Sequence, residues 1–186
     1  YFESNMPTAV RINFHEDCER AINKQINLEL FASYTYLSMA YYFDRDDVAL
    51  KGFHKFFSFN SEEENSHARL LMEYMNKRGG TIILQPINKP KSDLWGSALE
   101  AMEESLKLEK MVYQNLLDLH ALADGHSDPQ LMDFLEGNYL NEQVESIKEF
   151  SNHVTKLVRN GPGVGVYLYD KELLKRKYGE KEADKE

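Results

Sequence analysis

Four long segments of this chain repeat apolar residues every three or four positions, the spacing that places side chains on one face of an α-helix. We predict helices at about residues 14–43, 48–78, 93–124 and 129–160. Helices of this length can bury their apolar faces only against one another. The pattern therefore predicts an all-α fold in which four helices pack as a bundle.

Residue types at the segment ends indicate where the helices begin and end. Asn13, followed by a glutamate three positions later, is typical of a capping box before the first helix, and Ser92 is typical of the cap of the third. The fourth helix is predicted to begin with Pro129. The GPGVG run at 161–165 ends it, so only a short fifth helix can follow, at about 166–178.

The stretch 79–91, between the second and third helices, contains two Gly and two Pro and cannot be helical throughout. Fully extended, it reaches roughly 40 Å, which is about the length of a 28-residue helix. The third helix can therefore begin at the end of the bundle opposite to the end of the second. We predict that these two helices run parallel and are joined by one long crossover.

Composition and charge limit the class of protein. The chain has 186 residues with 42% hydrophobic content, enough for one domain, at 6–186, while residues 1–5 resemble the remnant of a cleavable expression tag. The net charge of −9 provides no basic surface for nucleic acid. The single cysteine, Cys18, cannot form an intrachain disulfide, and no leader or apolar run of membrane length is found. We expect a cytoplasmic protein with no membrane partner.

Polar residues interrupt the apolar face of each long helix near its middle. They are Glu29 in the first helix, Glu64 and His67 in the second, Glu109 in the third and Gln143 in the fourth. Burying an unpaired carboxylate costs several kcal/mol, so we expect a bound cation among them. The spacing of Glu64 and His67 places both on one helix face, one turn apart. Carboxylates with one imidazole and no thiolate favour iron or manganese over structural zinc.

Two metal ions that share Glu64 would use this whole set of ligands. One ion would take Glu29, Glu64 and His67, and the other would take Glu64, Glu109 and a weaker position near Gln143. A weakly held second ion suits a site that oxidises iron and releases it, whereas a symmetric cage suits a permanent cofactor. For Gln143 the interpretation as a hydrogen-bonded core amide stays open.

Four stretches are distinctive in combination: INLELFASYTYLSMAYYFDRDDVALKGF, HARLLMEYMNKRGG, LKLEK and YLNEQV. Their positions and order resemble the eukaryotic ferritins of the heavy, ferroxidase-bearing type over nearly the whole chain. The resemblance implies a ferritin-like four-helix bundle with one long crossover and a short fifth helix. It also implies a ferroxidase centre at Glu29, Glu64, His67 and Glu109, with Gln143 and Glu63 nearby and Tyr36 hydrogen-bonded to the ligands.

The same resemblance implies a function in iron storage. Ferritins form hollow 24-subunit shells, some of them from different subunits, and bind two Fe at each ferroxidase centre. They oxidise Fe(II) with dioxygen or peroxide and store a ferric oxyhydroxide mineral. The residues matching their iron inlet channel are Asp133, Glu136 and His120. An acidic channel concentrates Fe(II) electrostatically.

The chain departs from the ferritin pattern in two places. Where ferritins usually carry further acids that face the shell cavity, this chain has Ser66 and Arg69, which leaves Glu62 and Glu63 as the expected nucleation acids. We therefore expect mineral growth to lag behind oxidation. The short fifth helix lacks histidine and is more basic than expected, so the chemistry of a four-fold pore does not follow from it.

Two alternative functions stay open at this point. A di-iron oxygenase would usually offer a second Glu-x-x-His pair on the fourth helix, but residues 142–145 read EQVE. A non-catalytic shell subunit would not need the intact set of Glu29, Glu64, His67 and Glu109. Both features favour the ferroxidase.

Overall fold

The computed structural model describes residues 8–178, so the proposed tag remnant at 1–5 lies outside the described residues. Within this range the chain is helical and contains no strand, which confirms the predicted all-α class. No helix of the described part is both long and apolar enough to cross a bilayer. The helices are α1 (Glu16–Phe43), α2 (Lys51–Arg78), α3 (Ala98–Gly125), α4 (Pro129–Leu135), a π turn (Glu136–Leu140), α5 (Asn141–Asn160) and α6 (Val164–Lys175).

The fourth long helix consists of α4, the π turn and α5 without a break. An α-helix turns once in 3.6 residues, so buried positions spaced four apart drift around it. A π turn adds one residue to the hydrogen-bonded ring. It keeps Leu131, Leu135, Tyr139 and Gln143, each four apart, buried on one side, while Glu136 is exposed. The apolar spacing of the fourth helix, continued back from Gln143 and Tyr139 in steps of four and three, predicts that Glu136 is buried, and the π turn makes this prediction wrong.

Contacts at the two ends of the bundle give the directions of the helices. At one end, Arg78 of α2 pairs with Asp128 at 2.8 Å, and His126 after α3 lies 3.0 Å from Asp17 of α1. At the other end, the hydroxyl of Tyr42 in α1 donates to a carbonyl just before α3 at 2.8 Å. Since α2 and α3 both finish at the first end, they run parallel. The predicted long crossover is confirmed.

Two predicted helix starts are wrong. α1 begins after His15, whose Nδ1 accepts from the backbone N–H two residues later at 3.1 Å. The side chain of Asn13 donates instead to a carbonyl of the α3–α4 turn. The capping box of α3 is formed by Ser97 and Glu100, whereas Ser92 closes a local turn. The crossover therefore spans 79–97.

The short helix α6 packs on the start of α2 and caps it. Leu50 precedes α2 and provides no side-chain cap. Asp170 of α6 replaces it, because its carboxylate accepts from the backbone N–H groups of Gly52 at 2.6 Å and Phe53 at 3.1 Å. A Cβ at Gly52 would lie 1.9 Å from the carbonyl oxygen of Asp170. The contact explains a glycine inside a helix.

An aromatic layer fills the core between the α6 end and the polar centre. Phe43 of α1 stacks on Phe57 of α2 with ring centroids 5.6 Å apart. Tyr36 lies one step further, 6.0 Å from Phe57 and 5.8 Å from Phe150 of α5. The ring of Tyr36 thus belongs to the apolar core, and its hydroxyl points to the polar residues of the helix midpoints.

Candidate metal centre

The facing sides of α1 and α2 bring three of the predicted ligands together. Ligand atoms of Glu29, Glu64 and His67 all lie within 4.8 Å of one another. Glu29 is fully buried and Glu64 is 4% exposed. The Nδ1 atom of His67 lies 3.3 Å from Glu64 Oε2, because the two residues are one helical turn apart. Two carboxylates and an imidazole therefore converge in a nearly dry space.

Glu29 has fewer hydrogen bonds than a buried carboxylate needs. Its Oε1 accepts from Gln25 at 2.7 Å. Its Oε2 has no hydrogen-bond donor among residues 8–178. Burial and the nearby charge of Glu64 raise the pKa of Glu29 well above its usual value. An ionised buried oxygen without a donor is costly, and a cation between Glu29 and Glu64 would remove that cost. The residues present fit a metal ion.

His67 lies between carboxylates on two helices. Its Nε2 is 3.4 Å from Glu142 of α5, on the side away from Glu64. Burial opposes the charged imidazolium, but the hydrogen bonds to Glu142 and Glu64 raise the pKa of His67 to about 11. The backbone of His67 is also held, since the Tyr139 hydroxyl donates to its carbonyl at 2.8 Å. The imidazole has a fixed position and a surplus of negative charge around it.

The other side of the centre, between α3 and α5, is built differently. Glu109 is 1% exposed, yet both its carboxylate oxygens have donors. Tyr36 of α1 donates to Oε1, and Gln143 and Ser146 donate to Oε2, the latter at 2.9 Å. Burial still raises the pKa of Glu109, and these three hydrogen bonds oppose the rise. Glu109 is thus stabilised by neutral groups.

A cavity of about 230 Å³ opens beside the two halves, lined by Glu64, His67 and Gln143 on its inner wall. Glu63, Glu142 and Glu149 are among the other lining residues, which makes the cavity acidic. Burial, followed by the charge of Glu142, raises the pKa of Glu63 to about 7. Such a cavity offers cations a route between the buried ligands and the surface.

The remaining predicted residues lie away from this cluster. His120 Nε2 is 2.7 Å from Glu136 Oε1, and Asp133 is exposed one turn before Glu136. A channel would require neighbouring subunits, so its geometry stays a prediction. Glu62 and Arg69 are exposed on α2. The hydroxyl of Ser66, also exposed, donates to the backbone carbonyl of Glu62 at 2.9 Å.

Four residues that contact the proposed ligands were not singled out from the sequence. Gln25 lies four residues before Glu29, and Ser146 three after Gln143, so helical spacing alone could have indicated both. The others are Glu142 and Tyr139, which contact His67 from α5 and the π turn. Their positions depend on how the fourth helix rotates against α2, which periodicity within one helix does not report.

Comparison with known proteins agrees with this architecture. A sequence model of the Ferritin-like domain matches residues 19–160. The chain belongs to the ferritin family. Its bundle with a short fifth helix is the fold of that family, as the resemblance implied.

Two curated ferritins are similar along nearly their whole lengths. Soma ferritin of Lymnaea stagnalis is 62% identical over 164 residues, which are 88% of this chain and 94% of the relative. The ferritin middle subunit of Salmo salar is 56% identical over 172 residues, or 91% and 98% of the two chains. Residues 19–160, which the family model matches, contain every residue of the candidate centre.

Proposed function

We propose that this chain is an iron-storage subunit that oxidises Fe(II) at a centre formed by Glu29, Glu64, His67 and Glu109, as in heavy-type ferritins. The observation that carries the proposal is the buried carboxylate pair of Glu29 and Glu64, with one oxygen lacking any donor within residues 8–178. Storage is supported by the names of the two similar ferritins. Two Fe(II) ions per subunit are the substrate.

Each residue of the centre has a distinct task in this proposal. Glu29 and His67 would hold the first ion, and Glu64, which lies beside both, would be shared with the second. Glu109 holds the second ion and is oriented by Tyr36, while Gln143 provides a weak neutral position. Dioxygen or peroxide would accept the electrons that Fe(II) loses when it is oxidised to Fe(III).

The family also supports a proposal for the steps before and after oxidation. The exposed acids Asp133 and Glu136, with His120, would line an inlet channel between subunits of a 24-subunit shell. Ferric product would leave through the acidic cavity past Glu63 and grow as a mineral near Glu62. Co-assembly with other ferritin subunits and a cytoplasmic location belong to the same proposal.

The decisive experiment replaces two ligands of the tight cluster together. Glu64→Gln keeps the size of the side chain and removes its charge, and His67→Asn removes the imidazole but keeps a polar group. We expect aerobic Fe(II) oxidation, followed by stopped-flow absorbance of the ferric product, to slow at least about 100-fold. Size-exclusion chromatography should show that the shell stays assembled. The matched control, Glu73→Gln, changes an exposed glutamate of the same helix and should leave the rate unchanged.

An unchanged rate in the assembled double variant would contradict the proposal. It would instead favour a shell subunit that only provides a surface for mineral. An oxygenase is disfavoured by the fourth helix, where residues 142–145 read EQVE and contain no second Glu-x-x-His pair.

A further inference from the structure

A second cluster of metal-binding side chains lies at the end of the bundle where α1 begins and α3 finishes. His15 is the N-cap of α1, Asp17 lies in its first turn, and His126 is the C-cap of α3. Ligand atoms of all three lie within 4.8 Å of one another. The cluster shares no residue with the proposed ferroxidase centre or the inlet channel.

The contacts within the cluster bring two imidazoles to one carboxylate. Asp17 Oδ2 is 3.0 Å from His126 Nε2 and 3.4 Å from His15 Nδ1. The two imidazole rings stack with centroids 3.6 Å apart and an interplanar angle of 14°. Two helix ends that are 109 residues apart in the sequence therefore meet through these side chains.

We propose that His15, Asp17 and His126 form a surface site for a borderline divalent cation such as Zn²⁺. Two imidazole nitrogens and one carboxylate oxygen are a three-ligand set that Zn²⁺ accepts, with water in the fourth position. The carboxyl-terminal end of α3 favours a cation at His126, whereas the amino-terminal end of α1 opposes it. The formal charge of Asp17 outweighs that partial charge.

Binding requires one local rearrangement, and it is within reach. The stacked rings of His15 and His126 must separate, because the nitrogen lone pairs of two parallel rings do not point at one shared cation. The side chain of His15 is 51% exposed, so it can rotate without disturbing the core. Asp17 also pairs with Arg20 through its other oxygen, Oδ1, which leaves Oδ2 for the cation. The exposed Arg20 pair is weak.

The direct test is anomalous diffraction from crystals of the assembled protein soaked in zinc chloride, measured on both sides of the zinc absorption edge. We expect a zinc peak about 2.0–2.2 Å from a nitrogen of each histidine and an oxygen of Asp17. Zinc at Glu29, Glu64 and His67 in the same crystal serves as the internal positive control. A peak at that centre with none at the helix ends would overturn the proposal.

A solution measurement excludes binding that occurs only at crystal concentrations. His15→Asn keeps a capping oxygen for α1, and combined with His126→Asn it removes both imidazoles. Equilibrium dialysis at micromolar free zinc, read by elemental analysis, should show one zinc fewer per chain than in the unmodified protein. Circular dichroism and iron oxidation should not change. The control, His54→Asn, removes a half-buried imidazole of α2 outside the cluster.

Two outcomes of the dialysis would overturn the proposal. One is an equal zinc count in the double variant and the unmodified protein, even if the crystals show a peak. The other is the same loss in the His54→Asn control, because it would show that scattered imidazoles, not the cluster, hold the zinc.

Discussion

The two halves of the buried centre solve the same problem differently. Between α1 and α2, Glu29 and Glu64 lie against each other, and Glu29 Oε2 has no donor within residues 8–178. Between α3 and α5, Glu109 is equally dry, but both its oxygens accept hydrogen bonds. A buried carboxylate can be stabilised by a cation or by neutral donors. The first half would be stabilised by the proposed cation, whereas the second already has neutral donors.

This difference predicts that the two ions are held unequally. A cation entering the α1–α2 half gains a charge pair and competes only with the hydrogen bond from Gln25 and the long contact between His67 and Glu64. A cation binding Glu109 must compete with the donors Tyr36, Gln143 and Ser146. We therefore expect the α1–α2 half to be the tight site and the α3–α5 half to be the weak one from which iron can leave.

The largest expected effect is on metal affinity. In an anaerobic Fe(II) titration by calorimetry, we expect two unequal affinities per subunit. Glu29→Gln should weaken the tighter one by about 100-fold or more, because it removes a charged ligand. Glu109→Gln should affect mainly the weaker site. Two equal affinities, or a larger effect of Glu109→Gln on the tighter site, would contradict the comparison.

The second prediction is that the same two substitutions change stability in opposite directions when metal is removed. Glu29→Gln removes a buried carboxyl group whose ionisation is opposed by burial and by the charge of Glu64, and it gives Glu64 an amide donor, so we expect the metal-free protein to gain about 1 kcal/mol. Glu109→Gln replaces a carboxylate that accepts charge-assisted hydrogen bonds, so we expect a loss of about 2 kcal/mol.

Calorimetric melting of chelator-treated protein checks these signs. Each kcal/mol corresponds to about 2–4 °C in Tm for a chain of this size. If both variants melt below the unmodified protein, the buried carboxyl group of Glu29 does not destabilise the metal-free native state. If both melt above it, the hydrogen bonds of Glu109 do not stabilise the native state.

A smaller effect is expected for Tyr36→Phe, which removes one hydrogen-bond donor from the α3–α5 half. The ring stacks on Phe57 and Phe150, and phenylalanine keeps that packing. Losing the hydrogen bond to Glu109 should cost about 1.5 kcal/mol of stability and leave the affinity of the tight site unchanged. Metal-free melting and the anaerobic titration measure the two parts. A weakened tight site would show that the halves are coupled through Tyr36.

Much of this arrangement followed from helical spacing, and its limits have physical causes. The face of α1 that carries Glu29 and Tyr36 is buried as the pattern indicated, because an uninterrupted helix keeps its register over its whole length. The fourth helix does not, since the π turn shifts the positions before Tyr139. Register is lost wherever a turn inserts a residue.

The difference between the two halves of the centre was not predictable from the amino-acid sequence. It depends on which donors reach across from other helices, such as Ser146 and Gln143 to Glu109. Those contacts require particular rotamers and helix rotations. The spacing identified which carboxylates are buried, whereas only three-dimensional packing decides which of them has partners.

The smallest predicted effect extends the comparison to the cavity wall, where two glutamates have opposite pKa shifts. Burial, with the charge of Glu142, raises the pKa of Glu63 to about 7. Hydrogen bonds from His153 and Arg176, opposed by burial, lower the pKa of Glu149 to about 2. In the unfolded chain both would titrate near pH 4.3. Glu63 thus resembles Glu29 in the α1–α2 half, because it is buried beside another acid. Glu149 resembles Glu109 in the α3–α5 half, because it accepts hydrogen bonds.

The signs follow from proton linkage. Between about pH 4.5 and 7 the native state keeps a proton on Glu63 that the unfolded chain releases, so stability falls as pH rises. Glu63→Gln removes this loss, so the Tm of the metal-free variant should match that of the unmodified protein at pH 4.5 and exceed it at pH 7.5. The gain in free energy of unfolding at pH 7.5 should be about 1 kcal/mol after solvent screening. Glu149→Gln is the matched control and should lower Tm at pH 7.5, because ionised Glu149 stabilises the native state above about pH 4.5. Equal shifts in both variants would show that the cavity wall does not distinguish its two acids.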